Sequence, residues 1–263
     1  MKIFIDVGSH YGETVLEVVK SKYYFDKIFC FEPSKKCLPI LNRIAKKDDR
    51  VEVLNCGLSD KSYTSKLFDS GSVAASVFED AGGDPSDDIE EISLLDAGEW
   101  FRKNTDDDDV IVVKLNCEGS EVDIIESLLQ ADEFKKIYNI LITFDVRNYS
   151  HLRHKEIRTR RELGRLKYNN YCFSDDTMVG STHQKRINNW LSIFGIDTNI
   201  SNLADLRSLY YNNFQVYSNK TGYRQRLEGR IKRIFLYEKY PTSLKNIFKS
   251  IKKGLRLSRE LDT

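Results

Sequence analysis

The sequence lacks several features that define familiar classes of protein. No uncharged apolar run approaches the roughly 20 residues of a membrane-spanning helix, which argues against a protein that crosses a membrane in this way. The five cysteines form no Cys-x-x-Cys pair, and their odd number and irregular spacing indicate free thiols rather than disulfides or a structural zinc site. Met1–Asp6 is too short for the apolar core of a signal peptide, so we expect a cytoplasmic protein.

The sequence also lacks a marked net charge, because 41 Lys and Arg are balanced by 40 Asp and Glu. The two signs are nevertheless separated along the chain. Glu79–Asp109 contains 13 acidic and two basic residues, whereas Lys220–Thr263 contains 13 basic and four acidic residues. The 263 residues, of which 40% are apolar, suffice for one large core. We therefore expect a single domain over 1–219 and a separate basic, helical tail over 220–263.

Short apolar runs alternate with helical patterns through the first 145 residues. Strands are predicted at Ile3–Val7, Ile28–Phe31, Val51–Leu54, Val110–Leu115 and Ile137–Phe144. Helices are predicted around Val15–Val19, Leu38–Ile44, Ala97–Lys103 and Ser120–Leu129. A weakly alternating, extended excursion is predicted at Ser59–Phe68, and a surface loop at Gly71–Asp88. Uniformly apolar strands separated by helices are typical of a parallel sheet covered on both faces. The predicted fold class is therefore α/β, with a doubly wound, mainly parallel sheet whose ligands bind at the carboxyl ends of the strands.

The pattern is less regular after Asp145. A strongly charged helix is predicted over Leu152–Leu166, and Tyr171–Ser174 and Phe214–Ser218 are candidates for the last two strands. Between these strands, we predict an irregular segment over 175–213 that shapes an acceptor site.

A glycine turn follows the first predicted strand, in the stretch Asp6-Val7-Gly8-Ser9-His10-Tyr11-Gly12. Glycines let the backbone approach a ligand closely, and the following helix N-terminus offers N–H groups to an anionic group. The turn lacks the G-x-G-x-x-G pattern of dinucleotide sites, and alone it fits a tight turn as well as a ligand loop. Glu32, 26 residues after Asp6, ends the second strand. Its carboxylate can accept two hydrogen bonds from ribose hydroxyls, the alternative being a solvated residue before a turn proline.

A second polar cluster follows the most apolar predicted strand, in Asn116-Cys117-Glu118-Gly119-Ser120-Glu121. Polar groups at the carboxyl end of a central strand face the ligand crevice. A helix cap at Ser120, with Glu121 favourably placed in the first turn, explains part of the same pattern. The two interpretations are compatible, since Ser120 can cap the helix while Asn116 and Glu118 face the pocket.

Four stretches resemble, in this order, the FkbM family of S-adenosylmethionine-dependent methyltransferases: FIDVGSHYGETVLEV, IFCFEPSKKCLPIL, VEVLNCGLSD and VVKLNCEGSEVDIIESLL. The resemblance covers roughly Met1 to Asp145 and implies a class I methyltransferase fold of the Rossmann-like type, with S-adenosylmethionine as cofactor. It implies that the methionine end of the cofactor lies near Asp6, Gly8, Ser9 and Gly12. It further implies that Glu32 binds the ribose and that Asn55, Cys56 and Gly57 approach the adenine. The family's usual chemistry is O-methylation, often of sugar or polyketide hydroxyls.

The sequence departs from the family pattern at one position. The family usually has Asp-x-Glu-Gly after the lysine of this strand, whereas this chain has Asn116-Cys117-Glu118-Gly119. Because that carboxylate is absent, we predict no metal, although Asn116 can still hydrogen-bond the methionine portion or a substrate hydroxyl. A hydroxyl acceptor also needs a proton acceptor within hydrogen-bond reach. Glu118 is the first candidate, followed by Asp145 and His10, since all three follow predicted strands.

Together these features predict an S-adenosylmethionine-dependent O-methyltransferase that acts on a hydroxyl of a carbohydrate or glycan precursor. One alternative is a methyltransferase-like binding or scaffold protein without catalysis, for which Asn116 is the argument. A second alternative is a nucleic-acid methyltransferase, for which the basic tail is the only argument, because no RNA-recognition, zinc or helix-turn-helix pattern is present.

Two charged helical segments remain. Arg153–Glu162 is suited to an anionic acceptor such as a phosphorylated sugar, although a solvated helix surface is the favoured interpretation. Ser243–Leu257 combines apolar residues at helical spacing with five basic residues, the pattern of a basic amphipathic helix. We expect this helix to pack on the catalytic domain; the alternatives are peripheral contact with a membrane or lipid-linked substrate, and nucleic-acid binding.

Overall fold

The computed structural model describes residues 1–72, 75–78, 89–149 and 151–199. Part of the predicted surface loop over 71–88, the strand predicted at Phe214–Ser218 and the whole basic tail over 220–263, with its helix at 243–257, lie outside these residues. Within the described ranges, no helix is both long enough and apolar enough to cross a membrane.

The described ranges contain nine strands and seven α-helices. The strands are β1 Lys2–Val7, β2 Lys27–Phe31, β3 Val51–Leu54, β4 Gly57–Ser59, β5 Tyr63–Phe68, β6 Ile89–Asp96, β7 Val110–Leu115, β8 Ile137–Ile142 and β9 Tyr171–Phe173. The helices are α1 Val15–Val18, α2 Leu38–Ala45, α3 Ala97–Asn104, α4 Glu121–Gln130, α5 Arg153–Arg165, α6 Ser174–Thr177 and α7 His183–Ile193. Short 3-10 turns occur at Ser21–Tyr23, Phe134–Lys136 and Asp145–Asn148.

Six strands form the main sheet, in the order β3-β2-β1-β7-β8-β9, and every neighbouring pair is parallel. All residues of β1, β7 and β8 are buried, because helices cover both faces of the sheet. The predicted doubly wound α/β fold is therefore confirmed. The chain order reverses between β1 and β7, which makes the carboxyl ends of these two strands the switch point where ligands bind in such sheets.

Alternating side chains of β1 supply two separate apolar cores. Ile3 and Ile5 point to the face covered by α3 and α4, where Trp100 packs. Phe4 points to the other face, where it packs against Trp190 of α7 with the ring centroids 6.2 Å apart. The sheet is thus held between two helical layers, and its carboxyl edge is fixed by packing on both sides.

The excursion between β3 and α3 forms a small second sheet. Its order is β4-β6-β5, with β4 parallel and β5 antiparallel to β6. The extended excursion predicted at Ser59–Phe68 largely coincides with β5, but β6 was not predicted. Only two residues of β6, Ile92 and Leu94, are buried, so its acid-rich sequence carries little of the apolar alternation that marks a strand.

The prediction of an irregular segment is wrong for the described part of 175–213. That part contains α7, which begins after Thr182, whose hydroxyl accepts a hydrogen bond from the N–H of Lys185. Trp190 of α7 donates from Nε1 to Asn139 Oδ1 of β8 at 2.8 Å, in the core. The helix therefore covers one face of the sheet, and the role of this segment in shaping an acceptor site stays a prediction.

Candidate active site

The switch point contains a buried ion pair. Asp6 of β1 and Lys114 of β7 are register partners on adjacent strands, and Lys114 Nζ lies 2.9 Å from Asp6 Oδ1. The same ammonium group donates to the carbonyl of Gly8 at 2.9 Å. Burial raises the pKa of Asp6, and the charge of Lys114 opposes that rise. Asp6, which the resemblance placed near the cofactor, is fully buried against Lys114, a residue that the sequence reasoning did not select.

Packing within the fold explains both glycines of the glycine turn. Gly8 has φ +79°, and a Cβ on it would lie 1.9 Å from the carbonyl oxygen of Asn116. Gly12 has φ +85°, and a Cβ there would lie 2.6 Å from Cδ1 of Ile44. The turn therefore needs glycine because the end of β7 and helix α2 press against it, whether or not a ligand is bound.

Three polar groups of the glycine turn are already used inside the protein. The N–H groups of Gly8 and Ser9 donate to the carbonyl of Phe31 at 3.1 and 3.0 Å. The hydroxyl of Ser9 donates to the carbonyl of Asp6 at 3.0 Å. In this arrangement, the main-chain N–H groups of Gly8 and Ser9 join the glycine turn to the end of β2, and the predicted cofactor contacts of these two residues stay a prediction.

Glu32 links the glycine turn to the turn after β2. Its Oε2 accepts the N–H of His10 at 2.7 Å, and its Oε1 accepts the N–H of Ser34 at 2.9 Å. Burial raises the pKa of Glu32, while these two main-chain bonds oppose the rise. Each carboxylate oxygen has two lone pairs, so both can still accept a hydroxyl donor.

The predicted adenine-side residues follow β3. Asn55 is exposed, and its Nδ2 donates to the carbonyls of Glu32 and Pro33 at 3.1 and 2.8 Å. Cys56 and Gly57 are buried, and a Cβ on Gly57 would lie 2.6 Å from Cδ2 of Leu94. The structure thus places Asn55 against Glu32, while Gly57 is the first residue of β4 in the small sheet.

Three carboxyl groups lie after β7 and β8: those of Glu118, Glu121 and Asp145. Burial and then the charge of Asp145 raise the pKa of Glu118 to about 7. Burial raises the pKa of Asp145 to about 6, with Arg147 and Lys114 opposing the rise. Asp145 Oδ2 is buried and accepts no hydrogen bond from the described residues. Two of the predicted catalytic residues therefore share one electrostatic environment, with pKa values close to neutrality.

Glu118 adopts an unusual backbone conformation. Its φ of +53° lies in the left-handed region, which a residue with a Cβ seldom occupies. Its carbonyl accepts the hydroxyl of Ser76 at 2.7 Å, and Tyr149 donates in turn to Ser76 Oγ at 2.6 Å. Next to it, Gly119 has φ +117°, and a Cβ there would lie 2.8 Å from the ring of Phe78. The surrounding side chains hold this turn in a conformation that the chain alone would disfavour.

Ser120 does not make the predicted cap. It occupies the N-cap position of α4, but its side chain accepts no hydrogen bond from the helix. Glu121, the first residue of α4, instead accepts main-chain N–H groups from the preceding turn. Asn116 is half-buried at the end of β7, and its N–H donates to the carbonyl of Val7 at 3.1 Å.

Two histidines lie near the glycine turn. His10 Nδ1 is 3.0 Å from a carboxylate oxygen of Glu13, and its Nε2 is 3.4 Å from the carbonyl of Gly71. His183 of α7, which the sequence reasoning missed, lies 3.0 Å from the hydroxyl of Thr14 through Nε2. Burial and then the charge of Lys114 lower the pKa of His183. The only sequence signal for it is the capping residue before α7.

The charged helix α5 is mostly paired with neighbouring acids. The ion pairs are Lys155–Asp123 (3.0 Å), Arg160–Glu156 (2.8 Å), Arg165–Glu162 (2.6 Å) and Arg158–Glu126. These pairs favour the interpretation of α5 as a surface helix docked on α4 over a role in binding an anionic acceptor.

The sequence matches no protein-family model, and no curated protein matches it. Among solved structures, the chain is similar to the methyltransferase FkbM from Methylobacillus flagellatus KT, with 18% sequence identity and a TM-score of 0.34. This similarity covers 49% of the present chain and 29% of that protein. A likeness of this extent carries no argument about activity. The α/β fold therefore rests on the observed sheet, and the family resemblance stays a prediction from the four sequence motifs.

Proposed function

We propose that the protein is an S-adenosylmethionine-dependent methyltransferase that acts on a hydroxyl group of a carbohydrate or glycan precursor. The observation that carries the proposal is the set of carboxyls, Glu32, Glu118 and Asp145, that follow β2, β7 and β8 around the switch point. Burial raises the pKa of each of them and the charge of Lys114 opposes each rise, which makes them parts of one electrostatic site. The acceptor class comes from the sequence resemblance alone.

The residues at this edge fit the proposed cofactor in charge and in hydrogen-bonding capacity. Glu32 is suited to the ribose hydroxyls, because each of its oxygens keeps a lone pair after its main-chain bond. Asn55, exposed beside it, is suited to the adenine side. Glu118 and Asp145 give the crevice a negative potential that favours a sulfonium cation. The cofactor, when bound, supplies an electrophilic methyl group.

Glu118 is the proposed general base. Burial and the neighbouring charge of Asp145 bring its pKa to about 7, so its carboxylate and its protonated form are both populated near neutral pH. Such a group can accept the proton of an acceptor hydroxyl and release it afterwards. Asp145, whose pKa is about 6, stays closer to full ionisation at that pH and stabilises the protonated form of Glu118. Much of the remaining catalysis comes from holding the acceptor oxygen in line with the methyl carbon.

Calorimetry with S-adenosylhomocysteine tests the cofactor site. We expect the wild-type protein to bind and Glu32→Ala to bind about 10-fold to 100-fold more weakly, because it loses a hydrogen bond to a charged group. Glu99→Gln is the matched control, since Glu99 is an exposed carboxylate on α3 that pairs with Lys103 at 2.6 Å. Equal affinity of Glu32→Ala and wild type would refute the ribose assignment. No binding by the folded wild type at millimolar ligand would refute the cofactor.

Mass spectrometry of a glycan pool incubated with isotopically labelled S-adenosylmethionine tests the reaction and the acceptor class together. We expect labelled methyl groups on glycan hydroxyls, and a kcat lowered about 10²-fold to 10⁴-fold in Glu118→Gln with S-adenosylhomocysteine binding unchanged. Binding of the cofactor without transfer to any glycan would instead favour a methyltransferase-like binding protein, the alternative that Asn116 suggests.

A further inference from the structure

Glu121 is a fully buried carboxyl to which the proposed reaction assigns no role. Its Oε1 accepts the main-chain N–H groups of Gly119 at 3.0 Å and Cys117 at 3.3 Å. Its Oε2 accepts the N–H of Val146 at 3.3 Å. Both oxygens of one buried side chain are therefore bound to the main chain of two different turns.

These two turns carry the proposed base and its neighbour. Cys117 and Gly119 flank Glu118 in the turn after β7, and Val146 directly follows Asp145 in the turn after β8. The ladder between β7 and β8 closes with the N–H of Thr143, which donates to the carbonyl of Leu115 at 2.9 Å. Beyond that bond, Glu121 continues the connection between the two strand ends.

The left-handed backbone of Glu118 needs such support. A residue with a Cβ stays in that region only where its surroundings determine its conformation on several sides. Ser76 and Tyr149 hold the carbonyl of Glu118, while Glu121 holds the N–H groups on either side of it. The carbonyl and the flanking N–H groups are thus fixed from different elements.

We propose that Glu121 is a positioning residue, which sets the separation and orientation of the Glu118 and Asp145 carboxyls by holding the main chain of both turns. The inference rests on the proposed function, because the two carboxyls matter through proton transfer. Glu121 itself need not touch the cofactor or the acceptor, since it acts through the backbone. A displacement of reacting groups by about 1 Å is enough to lower a rate about 100-fold.

Ionisation supports this arrangement. Asp145, the thiol of Cys117 and the phenol of Tyr149 are the titratable groups that interact with Glu121. Burial, with Asp145 adding to it, raises the pKa of Glu121 to about 8. An ionised carboxylate accepts hydrogen bonds more strongly than its protonated form, so the two turns are expected to be held most firmly above that pH.

Steady-state kinetics and amide hydrogen exchange of three variants test the proposal. Glu121→Ala removes all three bonds, and Glu121→Gln keeps one carbonyl oxygen. Glu133→Gln is the matched control, because Glu133 is also buried, lies just after the other end of α4 and pairs with Lys136 at 2.8 Å.

We expect kcat to fall about 100-fold in Glu121→Ala and about 10-fold in Glu121→Gln, with KM for S-adenosylmethionine changed less than about twofold. In the Gln variant, the pH profile of kcat should no longer show an ionisation near pH 8, while the ionisation near pH 7, that of Glu118, should remain. Amide exchange in peptides that contain Gly119 and Val146 should be faster in Glu121→Ala, and all these quantities should be unchanged in Glu133→Gln.

Two results would overturn the proposal. One is an unchanged kcat and unchanged exchange at Gly119 and Val146 in Glu121→Ala. The other is a loss of activity that Glu133→Gln reproduces, because it would point to general destabilisation. If the wild-type protein transfers no methyl group, the proposed function fails, and the exchange rates still decide whether Glu121 holds the two turns.

Discussion

The backbone of Glu118 allows a direct test of whether the protein gives up stability to place a carboxyl group. Its φ of +53° puts a Cβ against the following carbonyl, at a cost of about 1–2 kcal/mol for an L-residue. Glycine escapes that cost. We therefore expect Glu118→Gly to be more stable than Glu118→Ala, the reverse of the order found in an ordinary helix.

The size of the difference follows from two opposed effects. Removal of the Cβ stabilises the folded protein by about 1–2 kcal/mol. The greater conformational freedom of glycine in the unfolded chain lowers the free energy of unfolding by about 0.5–1 kcal/mol. From the midpoints of these two ranges, the Gly variant is expected to exceed the Ala variant by about 0.75 kcal/mol in free energy of unfolding. Both variants lack the carboxyl, so its charge and its raised pKa cancel in the comparison.

Urea denaturation of the two variants at one pH measures this difference. Arg161 provides the control, because it is exposed within α5, where alanine should exceed glycine by about 1 kcal/mol. An alanine variant at position 118 that is as stable as the glycine variant, or more stable, would refute the reasoning. Both variants at position 118 should lose methyl transfer, since neither retains the proposed base.

Two further predictions concern electrostatics. The stability of the wild type relative to Glu118→Gln should fall as the pH rises from about 4.5 through about 7, because the folded protein there retains a proton that the unfolded chain has released; a relative stability that rises over this interval in urea denaturation would contradict the raised pKa. Lys114→Met should lower the free energy of unfolding by about 3–5 kcal/mol by leaving Asp6 buried and unpaired, and the added change Asp6→Asn should restore much of it. Equal stability of the single and double variants would show that the ion pair with Asp6 is not the source of the stability that Lys114 provides.

The main sheet could be predicted from the sequence because its central strands are buried on both faces. In β1, β7 and β8 every residue is buried, so each is mostly apolar in sequence, although β1 contains Asp6, β7 contains Lys114 and β8 contains Asn139. The small sheet is different. Its strands bury few residues each, and β6 carries Glu90 and Glu91 on partly exposed positions, so no apolar period distinguishes it from a loop.

The site could be predicted only where its residues follow strands. Glu118 and Asp145 could be predicted because they follow apolar runs, and Lys114 could have been predicted as the charged residue in the most apolar strand. The contact between His183 and Thr14 joins positions 169 residues apart, and the bond from Glu121 to Val146 joins positions 25 residues apart. Such contacts depend on how helices pack on the sheet, and local spacing carries no information about that.

The charges of the crevice change the interpretation of Asn116 as a loss of a catalytic carboxylate. Lys114 is the cation that acts on Asp6, Glu32, Glu118 and Asp145 together, and burial still raises the pKa of all four carboxyls. A further carboxylate at position 116 would add a like charge two residues from Glu118 and raise its pKa beyond neutrality. We therefore expect Asn116→Asp to shift the rise of kcat to higher pH rather than to increase kcat at neutral pH, as pH profiles of the two proteins would measure. A profile that does not move would contradict this reasoning. A higher kcat at neutral pH would instead show that the protein has lost activity because it lacks a carboxylate at position 116.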